Sequence, residues 1–405
     1  MSYYPNTRIY AGDTGSIDAF GRWRTSNPYT LFDSKQINDN LPLIYDEVDS
    51  GGSESATHSV SDSAVTMSVT SNAEYVIRQT KTRFNYQPGK SQQIFCTFVL
   101  GTTTANVVKR VGYYNSSTTG PYTASIDGLY LEDNGTNIGL VVSKAGTPTR
   151  VAQASWSLDV MDGTGPSGIT VDWTKAQILM IDFEWLGVGR VRWALVIDGA
   201  IYYVHETNNA NSVASVYMSS PNHSIRYEIR SSGGSSSLVH ICSAVASEGG
   251  VEEIGINQTH NNGNTVITAG TNTITYALLG IGLKAAYSDT IAIPTGASCI
   301  ATTNNDYFLM KLILNPTVAG TFTYGDKTNS VCQVATGVAT NTVTGGTVLW
   351  SSYASVSSQS IQIDSRALPR IGMSIAGVSD KAVLCIQPVS GSQAVLASLN
   401  WIEQL

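Results

Sequence analysis

The stretch KAQILMIDFEWLGVGRVRWALVIDGAIYYVHE, residues 175–206, carries the clearest secondary-structure signal in the chain. Apolar side chains alternate with other residues from Leu179 to Trp185 and again from Val191 to Ile197. This period of two is typical of β-strands, whose successive side chains point to opposite faces. Asp198-Gly199 follows and suits a two-residue turn, because glycine adopts positive φ without steric cost. The stretch therefore predicts a β-hairpin from about residue 190 to about residue 205.

The composition of the whole chain extends this prediction. Charged residues make up 13% of the 405 residues, against roughly 25% in ordinary globular chains, and Ser, Thr, Asn and Gly are abundant. Lys, Glu and Arg usually cover helix surfaces, whereas Thr, Val and Tyr favour sheets. Short alternating runs separated by turn residues predict an all-β fold of antiparallel β-sandwich domains, of jelly-roll or lectin-like type.

The distribution of proline, glycine and asparagine predicts the domain boundaries. Residues 1–50 contain several prolines and no sustained periodicity, which predicts an extended docking arm. Residues 51–250 predict the first β-sandwich. The polar, Asn- and Gly-rich residues 251–265 predict a linker. Residues 266–405 predict a C-terminal β-sandwich for display or oligomerisation.

The N-terminal arm contains too many aromatic and aliphatic side chains for a solvated tail, so we expect it to dock on the next domain or on a neighbouring subunit. Arginine pairs with carboxylates, and tryptophan fills apolar pockets at interfaces. An alternative is that Arg22, Trp23 and Arg24 hold the arm on its own domain, through Asp33, Asp46 or Glu47. The candidate docking residues are Phe20, Arg22, Trp23, Arg24 and Phe32.

Charge and cysteine usage exclude several classes of protein. A net charge of -7 without a Lys/Arg run argues against a nucleic-acid partner. No stretch approaches the roughly 20 apolar residues of a membrane span, and the N-terminus lacks signal-peptide order, so we expect cytoplasmic synthesis without membrane insertion. The five cysteines are far apart, which predicts reduced and mostly buried thiols. They are Cys96, Cys242, Cys299, Cys332 and Cys385.

The best candidates for catalysis have a structural alternative. Asp182 and Glu184 share one strand face, as a pair of glycosidase carboxylates would. Arg190 and Arg192 alternate in the same way on the next strand, so cross-strand ion pairs are the favoured interpretation. The five histidines lack metal-ligand spacing, and the serines lack a nucleophile-elbow motif. We therefore expect no enzyme, no cofactor, no metal site and no catalytic residue.

Three blocks of sequence resemble one family. IDAFGRWRTSNPYTLFDSKQINDNLPLIYDE at 17–47 is similar to a segment found near the N-terminus of structural proteins of tailed bacteriophages. IRQTKTRFNYQPGKSQQI at 77–94 and VHICSAVASEGGVE at 239–252 resemble blocks of the same family. The resemblance implies a location in the virion after assembly in the host cytoplasm. Residues beyond about 265 show no such match.

The predicted function is therefore a structural or adaptor component of a phage particle, such as a head decoration, a neck protein or a tail-fibre attachment. We expect it to bind further copies of itself, with a trimer as one option, and other virion proteins. The alternative is a receptor-binding fibre or spike whose C-terminal domain recognises a host surface glycan. Trp156, Trp173, Trp185 and Trp193 would suit a sugar platform, although tryptophan in a sandwich is more often core.

Overall fold

The computed structural model describes residues 17–24, 27–116, 125–252, 254–303, 307–354, 359–362 and 370–404. These residues form two compact units. The first reaches to Thr80 and resumes at Tyr86–Glu252, and the second combines Lys81–Asn85 with the residues from 254 onward. The described residues contain strands, no α-helix and two short 3-10 turns, Gln153–Ser155 and Ala285–Tyr287. The predicted all-β, antiparallel fold class is confirmed.

The first unit contains two antiparallel sheets of eight and seven strands. Its strands are β1 (Tyr29–Lys35), β2 (Tyr45–Asp49), β3 (Ser55–Ser59), β4 (Ala64–Val69), β5 (Tyr75–Thr80), β6 (Gln92–Val99), β7 (Val107–Ser116), β8 (Ser125–Asp133), β9 (Ile138–Lys144), β10 (Thr147–Ala152), β11 (Ala176–Phe183), β12 (Val191–Ile197), β13 (Ala200–Thr207), β14 (Ile225–Ser231) and β15 (Ser236–Ser247). One sheet has the order β13-β12-β11-β6-β15-β4-β3, with β1 also paired to β15, and the other has the order β10-β9-β8-β7-β14-β5-β2.

The predicted hairpin is confirmed as β12 and β13. Its turn residues Asp198 and Gly199 both have positive φ, 52° and 76°, as a tight two-residue turn requires. On the other side of β12, Ile181 of β11 lies directly opposite Trp193, and both side chains are fully buried. The alternation in the sequence thus places one face of these strands in the core.

The two sheets of the first unit pack face to face through large side chains. The Tyr227 hydroxyl of β14 lies 2.9 Å from the Ser243 Oγ of β15, and the ring centroids of Tyr113 and Phe183 are 5.7 Å apart. The imidazole of His240 stacks on Tyr227 with 3.9 Å between ring centroids. Burying a large apolar side chain contributes about 1.5–3 kcal/mol, so such contacts hold the sandwich together.

The second unit is also built from two antiparallel sheets. Its strands are β16 (Ile256–Asn261), β17 (Ile267–Ala269), β18 (Thr275–Leu283), β19 (Ile291–Thr303), β20 (Phe308–Leu314), β21 (Thr317–Val318), β22 (Gly325–Asp326), β23 (Cys332–Thr336), β24 (Thr342–Thr344), β25 (Thr347–Ala354), β26 (Gln359–Gln362), β27 (Lys381–Pro388) and β28 (Gln393–Gln404). One sheet has the order β16-β28-β19-β26 with β17 on β28, and the other contains β21-β24-β18-β27-β20-β25 with β22 and β23. Leu399 and Trp401 of β28 share a buried cluster with Leu279 and Ile281 of β18, so this unit is a second sandwich.

The predicted arm and linker need correction. Within residues 1–50, β1 pairs with β15 and β2 pairs with β5, so Tyr29–Lys35 and Tyr45–Asp49 belong to the sheets of the first unit. Both strands are short and half-exposed, and their partners are distant in sequence, which left no local periodicity to detect. Within 251–265, β16 pairs with β28, and its mostly exposed polar side chains are those of an edge strand.

A further difference concerns residues inside the block at 77–94. Lys81–Asn85 belong to the second unit although β5 and β6 on either side belong to the first. The Met373 N–H donates to the Lys81 carbonyl at 3.1 Å, and Arg83 Nη1 donates to the Met373 carbonyl at 2.7 Å. The second unit is therefore completed by a segment from the N-terminal part of the chain.

Candidate functional site

The first candidate site is the docking block, which we define as Ile17–Arg24. It is a closed turn in which Ile17 and Trp23 form an antiparallel bridge and Gly21 has φ 75°. The Asp18 carboxylate accepts hydrogen bonds from the Arg22 backbone N–H and from Arg22 Nε, each at 2.8 Å. These local bonds fix the conformation of the turn.

Buried charges attach the docking block to the first sandwich. Arg24 Nη2 lies 2.7 Å from Asp182 Oδ2, and Arg24 Nη1 lies 3.0 Å from Glu248 Oε1. Arg192 also pairs with Asp182, and its Nη2 donates to the Ile17 carbonyl at 2.6 Å. Because Asp182 and Arg192 are fully buried, this network holds the block firmly.

Asp182 and Glu184, the two carboxylates that resemble a glycosidase pair, are bound by neighbouring groups of the protein itself. Asp182 lies opposite Arg192 in the β11–β12 register, and Ser91 Oγ donates to its Oδ1 at 2.5 Å. Glu184 accepts the Arg190 N–H at 3.0 Å, and burial raises the pKa of its carboxyl above the ordinary value. The predicted pairing of Asp182 with Arg192 is confirmed.

The predicted docking residues occupy different environments. Trp23 is 61% exposed, and the half-buried Phe20 carries the Arg22 guanidinium 4.4 Å above its ring centroid. Arg24 points inward to Asp182 and Glu248 and not to the acids named from the sequence. Phe32 lies apart on β1, half-buried against Tyr45. The structure thus brings Phe20, Arg22 and Trp23 together within one turn.

The second candidate site is a cleft of about 780 Å³ in the first unit. It lies between the edge strands β10 and β13 of the two sheets, and residues 208, 209 and 212–217 border it. Alternate residues of β9 and β10 and the last three residues of β13 line its walls. They include Leu140, Val142, Thr149, Val151, His205 and Thr207.

His205 presents a defined donor at this cleft. The Ser157 N–H donates to His205 Nδ1 at 3.1 Å, and the Ser157 hydroxyl lies 2.9 Å from the same nitrogen. Because Nδ1 accepts a hydrogen bond from the backbone, the proton of the neutral ring is on Nε2. Burial lowers the pKa of His205 below its ordinary value, although the negative charge of Glu206 acts in the opposite direction. The lowered pKa favours the neutral form of the ring.

The loop at 208–217 is fixed at both ends. Asn209 Nδ2 donates to the Gly189 carbonyl at 2.6 Å, and the Tyr217 N–H donates to the Gly187 carbonyl at 2.8 Å. The Lys144 ammonium, at the end of β9, donates to Ser215 Oγ at 2.5 Å. The cleft is therefore preformed, with a polar contact joining its two sides.

The tryptophans divide into two groups. Trp156 and Trp193 are buried, as the core interpretation predicted, and Trp193 also borders the cleft. Trp173 and Trp185 are half-buried, and their Nε1–H groups donate to Gln153 Oε1 and to the Met218 carbonyl.

The cleft was not predictable from the sequence, because its walls come from separate hairpins and from a loop without periodicity.

Within the described residues, no three His, Cys, Asp or Glu side chains form a group able to hold a metal ion. All five cysteines are free thiols, four of them buried, and burial raises the pKa of Cys96 to about 12. No helix in the described part of the chain is long and apolar enough to cross a membrane.

Comparisons with known proteins give only distant structural matches. No protein-family model and no curated protein matches the chain. A Bacillus subtilis protein of unknown function with a galectin-like fold aligns at 11% identity over 55% of this chain and 98% of its own, with a TM-score of 0.36. The carbohydrate recognition domain of Emp47p aligns at 14% identity over 56% and 99%, with a TM-score of 0.34.

Lectin I-B4 from Griffonia simplicifolia aligns at 11% identity over 53% of this chain and 99% of its own, with a TM-score of 0.30. Similarity at this level carries no information about the ligand or partner of this chain.

Proposed function

We propose that the protein is a non-enzymatic structural component of a tailed-phage particle that attaches through its docking block. The observation that carries this proposal is the contrast between Trp23, 61% exposed, and the adjacent Arg24, whose ion pairs to Asp182 and Glu248 are largely buried. An aromatic side chain held on a fixed turn loses little conformational entropy on binding, so it suits an interface anchor.

The chemistry of the block indicates the partner surface. Trp23 needs an apolar pocket, and the neighbouring Arg22 side chain, which pairs with Asp18 and is 54% exposed, can also contact a carboxylate at the rim of that pocket. The resemblance of three sequence blocks to tailed-phage structural proteins supports another virion protein, or a further copy of this chain, as the owner of that pocket. Localisation in the virion and assembly into a homo-oligomer are parts of the same proposal.

The arrangement of Asp182 favours a non-enzymatic role for the first unit. Its two oxygens accept hydrogen bonds from Ser91, Arg24 and Arg192, and its side chain is fully buried. A glycosidase needs both carboxylates at a substrate groove, and this one is inside an ion network. Glycan binding by the C-terminal domain has weaker support, because the pocket beside Asn262 and Ser298 in the second unit has a volume of about 300 Å³, against about 780 Å³ for the cleft in the first unit.

The test is Trp23→Ala in particles assembled from otherwise unchanged proteins. We expect the variant to lose about 2 kcal/mol of interface energy and therefore to be incorporated less. The Tm of the isolated protein should be nearly unchanged. Val60→Ala is the control, because Val60 is also exposed, at 66%, in the first unit. Normal incorporation of the Trp23 variant would refute the proposal. A large fall in Tm would also refute it if incorporation fell only as much as the amount of folded protein.

A further inference from the structure

We propose that the cleft between β10 and β13 binds a short neutral oligosaccharide. This inference rests on the cleft alone and does not depend on the docking role of residues 17–24. The volume of about 780 Å³ falls within the range of about 300–1,000 Å³ that is usual for small-molecule sites. The loop at 208–217 is fixed by hydrogen bonds from the Asn209 side chain and the Tyr217 N–H to main-chain carbonyls, so binding does not require the loop to be reordered.

The charged side chains at the cleft already have hydrogen-bond or ion-pair partners. Lys144 donates to Ser215, while Glu206 lies 3.3 Å from Arg190 Nη1 and accepts from Asn208 Nδ2 at 2.9 Å. His205 is neutral, as its bonds with Ser157 require. A charged ligand would have to compete with these internal partners, so the cleft favours a neutral one.

The polar groups at the cleft match those of a sugar. Hydroxyls of Thr147, Thr149, Thr207 and Ser212 can each donate and accept, and His205 contributes an Nε2–H donor. Sugar hydroxyls also donate and accept, so they complement such a surface. A purely apolar ligand fits this cleft less well than a sugar. Its binding would remove water from the Ser, Thr and Asn side chains at the rim and would supply no replacement hydrogen bonds.

The apolar part of the cleft complements the other face of a sugar ring. Leu140, Val142 and Val151 form a wall against which the C–H groups of a pyranose can pack. Trp193 borders the same wall, and within the described residues its buried Nε1–H has no hydrogen-bond partner. A buried donor without a partner costs about 1–3 kcal/mol, so a hydroxyl-bearing ligand that reached it would gain affinity.

Isothermal titration calorimetry on the full chain tests the inference with three neutral probes, maltotetraose, cellotetraose and mannotetraose. We expect saturable binding of at least one, with a Kd below about 1 mM. Thr149→Trp fills the cleft from an exposed wall position, and His205→Phe removes the Nε2–H donor. Each should weaken binding by at least about tenfold, which corresponds to the loss of one good hydrogen bond or its equivalent in packing.

Ala200→Trp is the matched control, because Ala200 is exposed on β13 and does not line the cleft. Its affinity should equal that of the unchanged protein, and thermal melting should show that all three variants are folded. The inference is overturned if none of the three probes binds at concentrations up to about 10 mM, or if Thr149→Trp binds as well as Ala200→Trp. Tighter binding of laurate than of any sugar would also overturn it.

Discussion

Arg24 and Asp182 are 158 positions apart in the sequence, and Arg24 Nη2 lies 2.7 Å from Asp182 Oδ2. Asp182 is fully buried and also pairs with Arg192 of β12, so one carboxylate joins the docking block to the hairpin of β12 and β13. The most recognisable block of the sequence is thereby part of the first sandwich as well as a candidate attachment surface.

Replacing Arg24 with Met should destabilise the first unit by about 3–5 kcal/mol, because the change leaves the Asp182 and Glu248 carboxylates with one buried cation fewer. Arg22→Met is the control. The Arg22 side chain is 54% exposed in its pair with Asp18, so its loss should cost no more than about 1 kcal/mol. Urea unfolding of both variants measures the difference, and equal losses would show that the buried network is not what holds the block.

His240 should make the stability of the first unit depend on pH. Its fully buried ring accepts a hydrogen bond from Arg78 Nε at Nδ1, and burial, followed by the positive charge of Arg78, lowers the pKa of His240 well below 6.5. Below about pH 6.5 the unfolded chain binds a proton that the folded chain excludes. The free energy of unfolding therefore falls as pH falls below that value, by up to about 1.4 kcal/mol per pH unit.

Comparison with His240→Phe isolates this contribution, since phenylalanine can keep the stacking on Tyr227 without the titrating group. Unfolding free energies measured from about pH 7.5 to about pH 5 should decline less steeply for the variant. His205 is retained in both proteins and cancels in the comparison. Identical slopes would exclude His240 as the source of the pH dependence.

A close contact between β7 and β8 requires glycine at position 128. Gly128 lies opposite Tyr114 with φ 146°, and a Cβ there would lie 2.1 Å from the Tyr114 Cβ. Gly128→Ala should therefore cost about 3 kcal/mol or more, because the main chain of both strands would have to move. Gly146 also has positive φ, 82°, but a Cβ there would meet no atom within 4 Å. Chemical denaturation of Gly146→Ala should therefore show a cost of only about 1–2 kcal/mol.

The thiols should differ in reactivity. Cys242 is half-buried, whereas Cys96, Cys299, Cys332 and Cys385 are buried, and burial raises the pKa of all five. Because the thiolate is the reactive form and needs access to reagent, iodoacetamide should modify Cys242 first in the folded protein. Mass spectrometry of timed samples checks this order, and prior alkylation of a buried thiol would contradict the described packing.

The sequence predicted what depends on neighbouring residues. Alternation and Asp198-Gly199 were enough to identify β12 and β13, because both strands and their turn lie within one short stretch. The pairing of Asp182 with Arg192 followed from the same register. The strand β1 was missed because it pairs with β15, near the far end of the first unit, and no local pattern records such a partner.

The candidate sites show the same division. The amino acids of the docking block were identifiable from their type, but the sequence could not show that Arg24 reaches Asp182 and Glu248 while Trp23 stays exposed. The cleft depends on how the two sheets pack, because strands of both sheets line it and no local sequence pattern records that packing. Its histidine had no motif, and only the bond from the Ser157 N–H defines its donor.

In the second unit, the buried Glu403 should be a main determinant of stability. Its carboxylate accepts hydrogen bonds from Ser330 Oγ, from Trp401 Nε1 at 2.9 Å and from the Val331 N–H at 3.2 Å, and its side chain is almost fully buried. Glu403→Leu would leave these three donors without their acceptor, each at a cost of about 1–3 kcal/mol, so we expect a loss of at least about 3 kcal/mol. Glu403→Gln keeps one carbonyl oxygen for Ser330 and Trp401 and should lose roughly half as much. Urea unfolding followed through tryptophan fluorescence measures both variants. Equal losses would mean that packing, and not acceptance of these hydrogen bonds, is what Glu403 contributes.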